Sequence, residues 1–263
     1  MKARDGNRNY TDFDMGNWLN GVPYLSYHGD MPIEEPWSFE KSITSPMLYL
    51  SQFIDPGDSI IDIGCGAGGC MRFLKEQITN IQVTGITNSV ASLETCQSQD
   101  IGRIILGDFN KIPVNSINDY DVAYLMESFF YFGKSYNDKV LILKKIKKFA
   151  SRLVARIQTF PDGYHQPKGF WADSGYGLTL TDLKKAFFDA GWMDVEYHVT
   201  AYVNDKRFAA KFCEILGRNI SRSSNDLIKT VPLEICYFNT ALNAFVEQDR
   251  KLNVLATHVV ARK

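Results

Sequence analysis

Four glycines in six positions, Gly64, Gly66, Gly68 and Gly69, follow three isoleucines and an aspartate in the stretch SIIDIGCGAGGCMRFL, Ser59 to Leu74. Ile60, Ile61 and Ile63 need not alternate with polar residues if they form a parallel strand covered on both faces. The glycines allow a tight turn and a close approach of main chain to whatever binds there. A strand, a glycine turn and a helix N-terminus together make a site for part of a nucleotide, because unpaired N–H groups and the helix dipole converge on it. A dinucleotide site also wants an acid at the end of the second strand to hold ribose hydroxyls. Thr87 and Asn88 stand there instead, so the glycine spacing alone does not read as a nicotinamide-cofactor site.

The elements that must position these residues alternate along the chain. A helix over 46–54 stops at Pro56-Gly57, the strand at 59–63 follows, and a helix over 68–78 precedes a second strand at 81–86. A helix at 89–99, strands at 103–108 and 121–127, a helix at 137–150 and a strand at 152–160 continue the pattern. Such alternation argues for a parallel sheet with helices on both faces. It pauses at Pro161 to Gly177, a polar and aromatic-rich loop of the length that usually carries function. A helix then runs from an N-cap at Thr179 or Thr181 to a stop at Gly191. A strand from Asp194, helical stretches at 204–218 and 223–249, and a closing strand in NVLATHVVARK complete a count of seven strands. The reading divides the chain into a cap segment at 1–45, a core at 46–203 and 250–263, and a helical insertion at 204–249.

With 263 residues, 45% of them hydrophobic and 22% charged, the chain is long enough for one large domain with an elaborated cap. A net charge of −1 supplies no global attraction for nucleic acid or an anionic membrane. No apolar run approaches the roughly 20 residues of a membrane-spanning helix. The first ten residues, MKARDGNRNY, lack the apolar centre of a secretion signal. Cys65, Cys70, Cys96, Cys213 and Cys236 are scattered and odd in number, which fits reduced thiols in a cytoplasmic protein. His28, His165, His198 and His258 are dispersed, so no metal site is expected. The crowded lysines of KVLILKKIKKF read as the solvated side of a helix whose core face is Ile142, Ile146 and Phe149, not as a nucleic-acid surface.

The combination DIGCGAGG, GITNS, GDF and YLMES, each just past an apolar run, closely resembles the class I S-adenosylmethionine-dependent methyltransferases, and within them the small-molecule group. The resemblance runs from about residue 46 to 160. It implies a Rossmann-like, doubly wound, mostly parallel seven-stranded sheet, S-adenosylmethionine as cofactor and a small-molecule metabolite as substrate. It further implies that Asp62 with Gly64, Cys65, Gly66 and Gly68 frames the amino and carboxylate ends of the cofactor. By the same resemblance Thr87 and Asn88 take the ribose, Asp108 accepts from the adenine amino group, and Phe109 packs against its ring. Met126 and Glu127 would sit nearest the sulfonium. The usual proline-glycine-glycine turn before the fifth strand is replaced by KKFASR.

A sulfonium already makes its methyl an electrophile, so such an enzyme has to align the acceptor and exclude water. A hydroxyl acceptor also needs a base, for which Glu127, His28 and His165 are candidates. Tyr131 in ESFFYF and Tyr176 in GYHQPKGFWADSGYG join them from aromatic segments that suit a cation or an apolar acceptor. The same fold also supports chemistry on the aminocarboxypropyl arm, closing an azetidine amino acid and releasing methylthioadenosine. A non-catalytic cofactor-binding subunit is a third reading. The 204–249 insertion would serve either as a cap over the substrate or as a subunit interface in a homo-oligomer.

Overall fold

A computed structural model describes residues 38–163, 175–201, 214 and 255–263. The segment 1–37, the loop 164–174 and all of the 204–249 insertion except the helical Glu214 lie outside the described residues. Helix α1 (Phe39–Ser51) begins where the Ser38 hydroxyl accepts from the Lys41 N–H. It therefore starts well before residue 46 and crosses the 45/46 boundary drawn from sequence. The helix expected over 46–54 is displaced toward the N-terminus, and Pro46 sits inside it.

The sheet is built from β1 (Ser59–Ile63), β2 (Gln82–Thr87), β3 (Arg103–Leu106), β4 (Tyr120–Met126), β5 (Ala150–Phe160), β6 (Leu178–Thr179), β7 (Asp194–Ala201) and β8 (Leu255–Arg262). Their order is β3-β2-β1-β4-β5-β8-β7, with β6 on the far end of β5. Pairing is parallel except at β8, which runs antiparallel to both β5 and β7. The eighth strand, absent from the sequence reading, is the two-residue β6, too short to show any periodicity.

Helices α2 (Gly69–Gln77), α3 (Val90–Ser98), α4 (Tyr136–Phe149) and α5 (Leu180–Asp189) follow β1, β2, β4 and β6. Alternate residues of β1 serve opposite faces, as the absence of polar alternation predicts. Ile61 and Ile63 join Leu143, Ile146, Leu183 and Phe187 in one core. Ile60 joins Met47, Leu50, Phe73, Val122 and Tyr124 in the other. Thr179 caps α5 by accepting from the Asp182 N–H, and Gly191 follows with φ +82°, as read from sequence.

The lysines of α4 do not all face solvent. Lys144 and Lys148 are exposed, Lys145 and Lys147 are half-buried, and Lys139 is fully buried. Lys139 lies in phase with Ile142, Leu143 and Ile146, and its ammonium finds two backbone carbonyls, those of Phe129 at 2.6 Å and Phe130 at 2.9 Å. Those two carbonyls accept from two of the three ammonium donors and offset part of the cost of burial, which still lowers the group from 10.5 to about 7.

From β1 the chain winds outward to β2 and β3, then returns across to β4 on the other side of β1. Ligands of open α/β sheets bind outside the carboxyl ends of the strands at such a switch point. The residues that end β1 and β4 are Gly64 onward and Glu127 onward.

Candidate active site

The glycine turn hangs from β2, because the Gly64 and Cys65 N–H groups both donate to Ile86 O, at 2.9 and 3.0 Å. Gly64, Gly66 and Gly68 all occupy the left-handed region, at φ +85°, +53° and +81°. A Cβ on Gly64 would lie 2.6 Å from Ser128 Cβ, and one on Gly68 2.8 Å from Ile101 Cδ1. A Cβ on Gly66 would meet nothing within 4 Å, so that glycine faces open space. Gly68 caps α2 without a side-chain bond, which leaves first-turn N–H groups of the helix open to an anion.

Asp62 is buried beneath this turn, and its Oδ2 has no hydrogen-bond partner. Burial pushes its carboxyl up from 3.8 to about 7. On the neighbouring strand Tyr124 is its register partner. The Tyr124 hydroxyl is likewise buried and unpartnered, and burial raises it well above the ordinary phenol range. Beside them, Arg156 Nη1 donates to Glu127 Oε1 at 2.5 Å, with the arginine side chain 0% exposed. Cys70, in the first turn of α2, has its thiol raised by burial and further by Asp62 and Glu127, while Arg156 acts the other way. Asp62, Glu127 and Arg156 thus all act on the one buried thiol of Cys70.

Glu127 departs from the strand at φ +60°, a left-handed conformation that costs a non-glycine residue about 1–2 kcal/mol. Its N–H donates to Arg156 O at 3.0 Å, so both ends of the residue are tied to β5. Next in the chain, Ser128 Oγ donates to Ile63 O at 2.5 Å and joins the lip of β4 to the lip of β1. The short 3-10 turn Phe129–Tyr131 follows, clamped by Lys139.

The other sequence candidates are placed unevenly. Met126 is half-buried against the core on the α1 side. Thr87 is buried with its hydroxyl accepting from the Ser89 N–H, while Asn88 is exposed. Asp108 Oδ1 accepts from both the main-chain and side-chain N–H of Asn110, and Lys111 lies 3.7 Å from Oδ2. Phe109 is a core residue packed against Phe132 and Phe149, with Lys145 over its ring and bonded to its carbonyl, leaving its N–H for a ligand. Of the aromatic run after Glu127, Phe129, Phe130 and Phe132 are core and Tyr131 is 53% exposed. Tyr176 is half-buried, and its N–H donates to Phe130 O at 3.1 Å, which brings the end of the long loop to the same turn. His28 and His165 lie outside the described residues. Among the described residues no group of His, Cys, Asp or Glu has the arrangement of a metal site.

Sequence reasoning missed Arg156, Ser128, Lys139 and Tyr124. The signal for Arg156 was there, as the one cation between apolar residues in LVARIQTF.

Residues 60–149 match the methyltransferase-domain family. The chain is 30% identical over 122 residues to (S)-coclaurine N-methyltransferase of Thalictrum flavum subsp. glaucum, covering 43% of this chain and 32% of that one. It is 29% identical over 100 residues to a sterol 24-C-methyltransferase of Schizosaccharomyces pombe, covering 35% and 26%. The matched region thus spans about a third or less of these two curated relatives' length. In three dimensions the fold is that of a coclaurine N-methyltransferase structure, with a TM-score of 0.72 at 18% identity over 94% of this chain and 80% of that one. Glycine turn, strand order and the methyltransferase-domain match at 60–149 agree, and the fold of the chain is that of the class I S-adenosylmethionine-dependent methyltransferases.

Proposed function

We propose that the protein binds S-adenosylmethionine at the glycine turn and transfers its methyl group to a small-molecule metabolite. The observation that carries this reading is Asp62. A buried carboxyl with an unpartnered oxygen is a site for a cation. The α-ammonium of a methionine moiety supplies one. Its carboxylate suits the open N–H groups at the start of α2, and Gly66 leaves room for the main chain to approach.

When bound, the cofactor supplies an activated methyl on a sulfonium. The work left to this chain is placement. Asp62, Gly64, Cys65, Gly66 and Gly68 hold the amino-acid end; Asn88, with Thr87 behind it, faces the ribose; Asp108 accepts from the adenine amine alongside the main chain of Phe109. Met126 and Glu127 border the reacting centre, with Glu127 oriented by Arg156 and Ser128 bracing the two strand lips. Tyr131 and Tyr176, joined through the Phe130 carbonyl, border the acceptor. His28 and His165 remain candidate bases contributed by the N-terminal segment and the 161–177 loop. The free thiols Cys65, Cys70 and Cys96 suit the cytoplasm. No helix among the described residues is long and apolar enough to cross a membrane.

The test is product analysis. Purified protein is incubated with S-adenosylmethionine, alone and with pools of amine, phenol and isoprenoid acceptors, and the nucleoside product is identified by mass. S-adenosylhomocysteine formed only with acceptor supports methyl transfer; methylthioadenosine formed without one overturns it in favour of arm chemistry.

A further inference from the structure

Two thiols converge on the glycine turn. Cys65 lies within it, between Gly64 and Gly66, and Cys96 reaches it from α3. Cys65 Sγ is 3.6 Å from Gly66 O and Cys96 Sγ is 3.7 Å from the same oxygen. The two thiols also act on each other's ionisation, Cys96 raising Cys65 and Cys65 lowering Cys96. The glycines beside them leave no slack: a Cβ on Gly68 would lie 2.9 Å from Cys96 Sγ, and one on Gly85 2.6 Å from Cys65 Sγ. The methyltransferase reading uses the turn but has no use for this pair.

We propose that Cys65 and Cys96 are a modification site, a thiol pair that peroxide closes to a disulfide and that thereby weakens ligand binding at the turn. Both thiols are buried, Cys96 at 0% exposure, so peroxide has to enter from the open space beside Gly66. Of the two, Cys96 is lowered by its neighbour Cys65 and carries the more thiolate character. The Cys96 thiolate attacks hydrogen peroxide, breaking the O–O bond to form a sulfenic acid and releasing hydroxide, which takes up the thiol's proton as water. Cys65 sulfur then displaces the sulfenic oxygen; an S–S bond forms, an S–O bond breaks, and water leaves with the Cys65 proton. Two thiols are oxidised by two electrons and one peroxide is reduced to two waters. A disulfide draws the sulfurs to about 2.05 Å, so residue 65 is pulled toward α3 and both thiol contacts to Gly66 O are lost.

The second half of the proposal rests on the methyltransferase reading, and the experiment separates the two. Reduced protein is titrated with S-adenosylhomocysteine by calorimetry, treated with hydrogen peroxide, titrated again, and mapped by peptide mass. Cys65 and Cys70 share one tryptic peptide, so Cys70→Ser is mapped in parallel to identify the partner. Expected are a Cys65–Cys96 cross-link, an affinity loss of tenfold or more, recovery with dithiothreitol, and no loss in Cys96→Ala. A cross-link to any other cysteine, or oxidation to sulfinic acid alone, overturns the pair. A Cys65–Cys96 cross-link with unchanged affinity overturns the control of binding. Reduced protein that binds no S-adenosylhomocysteine overturns the methyltransferase reading and the affinity switch with it, while the peptide map of the Cys70→Ser variant still decides the pair.

Discussion

Arg156 and Glu127 are bonded to each other twice, guanidinium to carboxylate at 2.5 Å and Glu127 N–H to Arg156 carbonyl at 3.0 Å. The double tie holds a left-handed glutamate at the end of β4 against its conformational preference. A buried cation deprived of its partner, or the reverse, costs about 3–5 kcal/mol, whereas an apolar replacement of both costs far less. Arg156→Met should therefore destabilise by about that amount in urea unfolding. The double variant Arg156→Met/Glu127→Leu should recover most of it, and simple additivity of the two single changes would disprove the coupling.

Asp62 makes ligand-free stability depend on acidity. Its carboxyl is raised from 3.8 to about 7 by burial, so between those values the folded state holds a proton that the unfolded state has released. This group's contribution is fully present below pH 4 and is lost as pH rises through 7. A cationic ligand favours the ionised form, so affinity for S-adenosylhomocysteine should increase from pH 5.5 to 7.5. Calorimetry across that range checks it; Asp62→Asn should bind weakly with a flat profile.

Gly66 and Gly68 separate strain from crowding. Both have positive φ, but a methyl at Gly66 meets open space and one at Gly68 meets Ile101 and Cys96. Gly66→Ala should cost about 1–2 kcal/mol from backbone strain alone. Gly68→Ala should cost more, since overpacking adds roughly 1–3 kcal/mol. Chemical denaturation of the two variants side by side gives the order directly.

Lys139 acts in the opposite pH window. Burial lowers its ammonium from 10.5 to about 7, so between those values the unfolded state holds the extra proton. Stability from this group rises as pH climbs from 7 toward 10.5. Lys139→Met should remove that rise in a melting-temperature series. It should also destabilise at every pH, because each of two buried carbonyls loses its donor at about 1–3 kcal/mol.

The alternation of strands and helices was legible because each buried strand announces itself by an unbroken apolar run, as Ile60, Ile61 and Ile63 do. The glycine turn was legible for a different reason: few side chains tolerate positive φ at three positions so close together. Neither signal extends to contacts between distant strands. Nothing near residue 127 marks its tie to residue 156, because register between β4 and β5 is a property of the assembled sheet. Lys139 was misread because charge and helical phase pointed opposite ways, and phase prevailed once carbonyls at the 129–131 turn were available to bond it. Phe109 follows GD in the expected place, yet its ring is taken by Phe132, Phe149 and Lys145, which sequence spacing does not bring together.

β8 lies between β5 and β7, pairing Arg152 with Arg262 and Asp194 with the same Arg262. During synthesis, then, the flank of β5 away from β4 waits while residues 161–254 are translated before its neighbour arrives. A nascent chain halted at residue 254 would show the ribosome's surroundings a hydrophobic, unpaired strand margin. Closing so long a loop is slow, which makes this interval the natural point for chaperone capture or for aggregation.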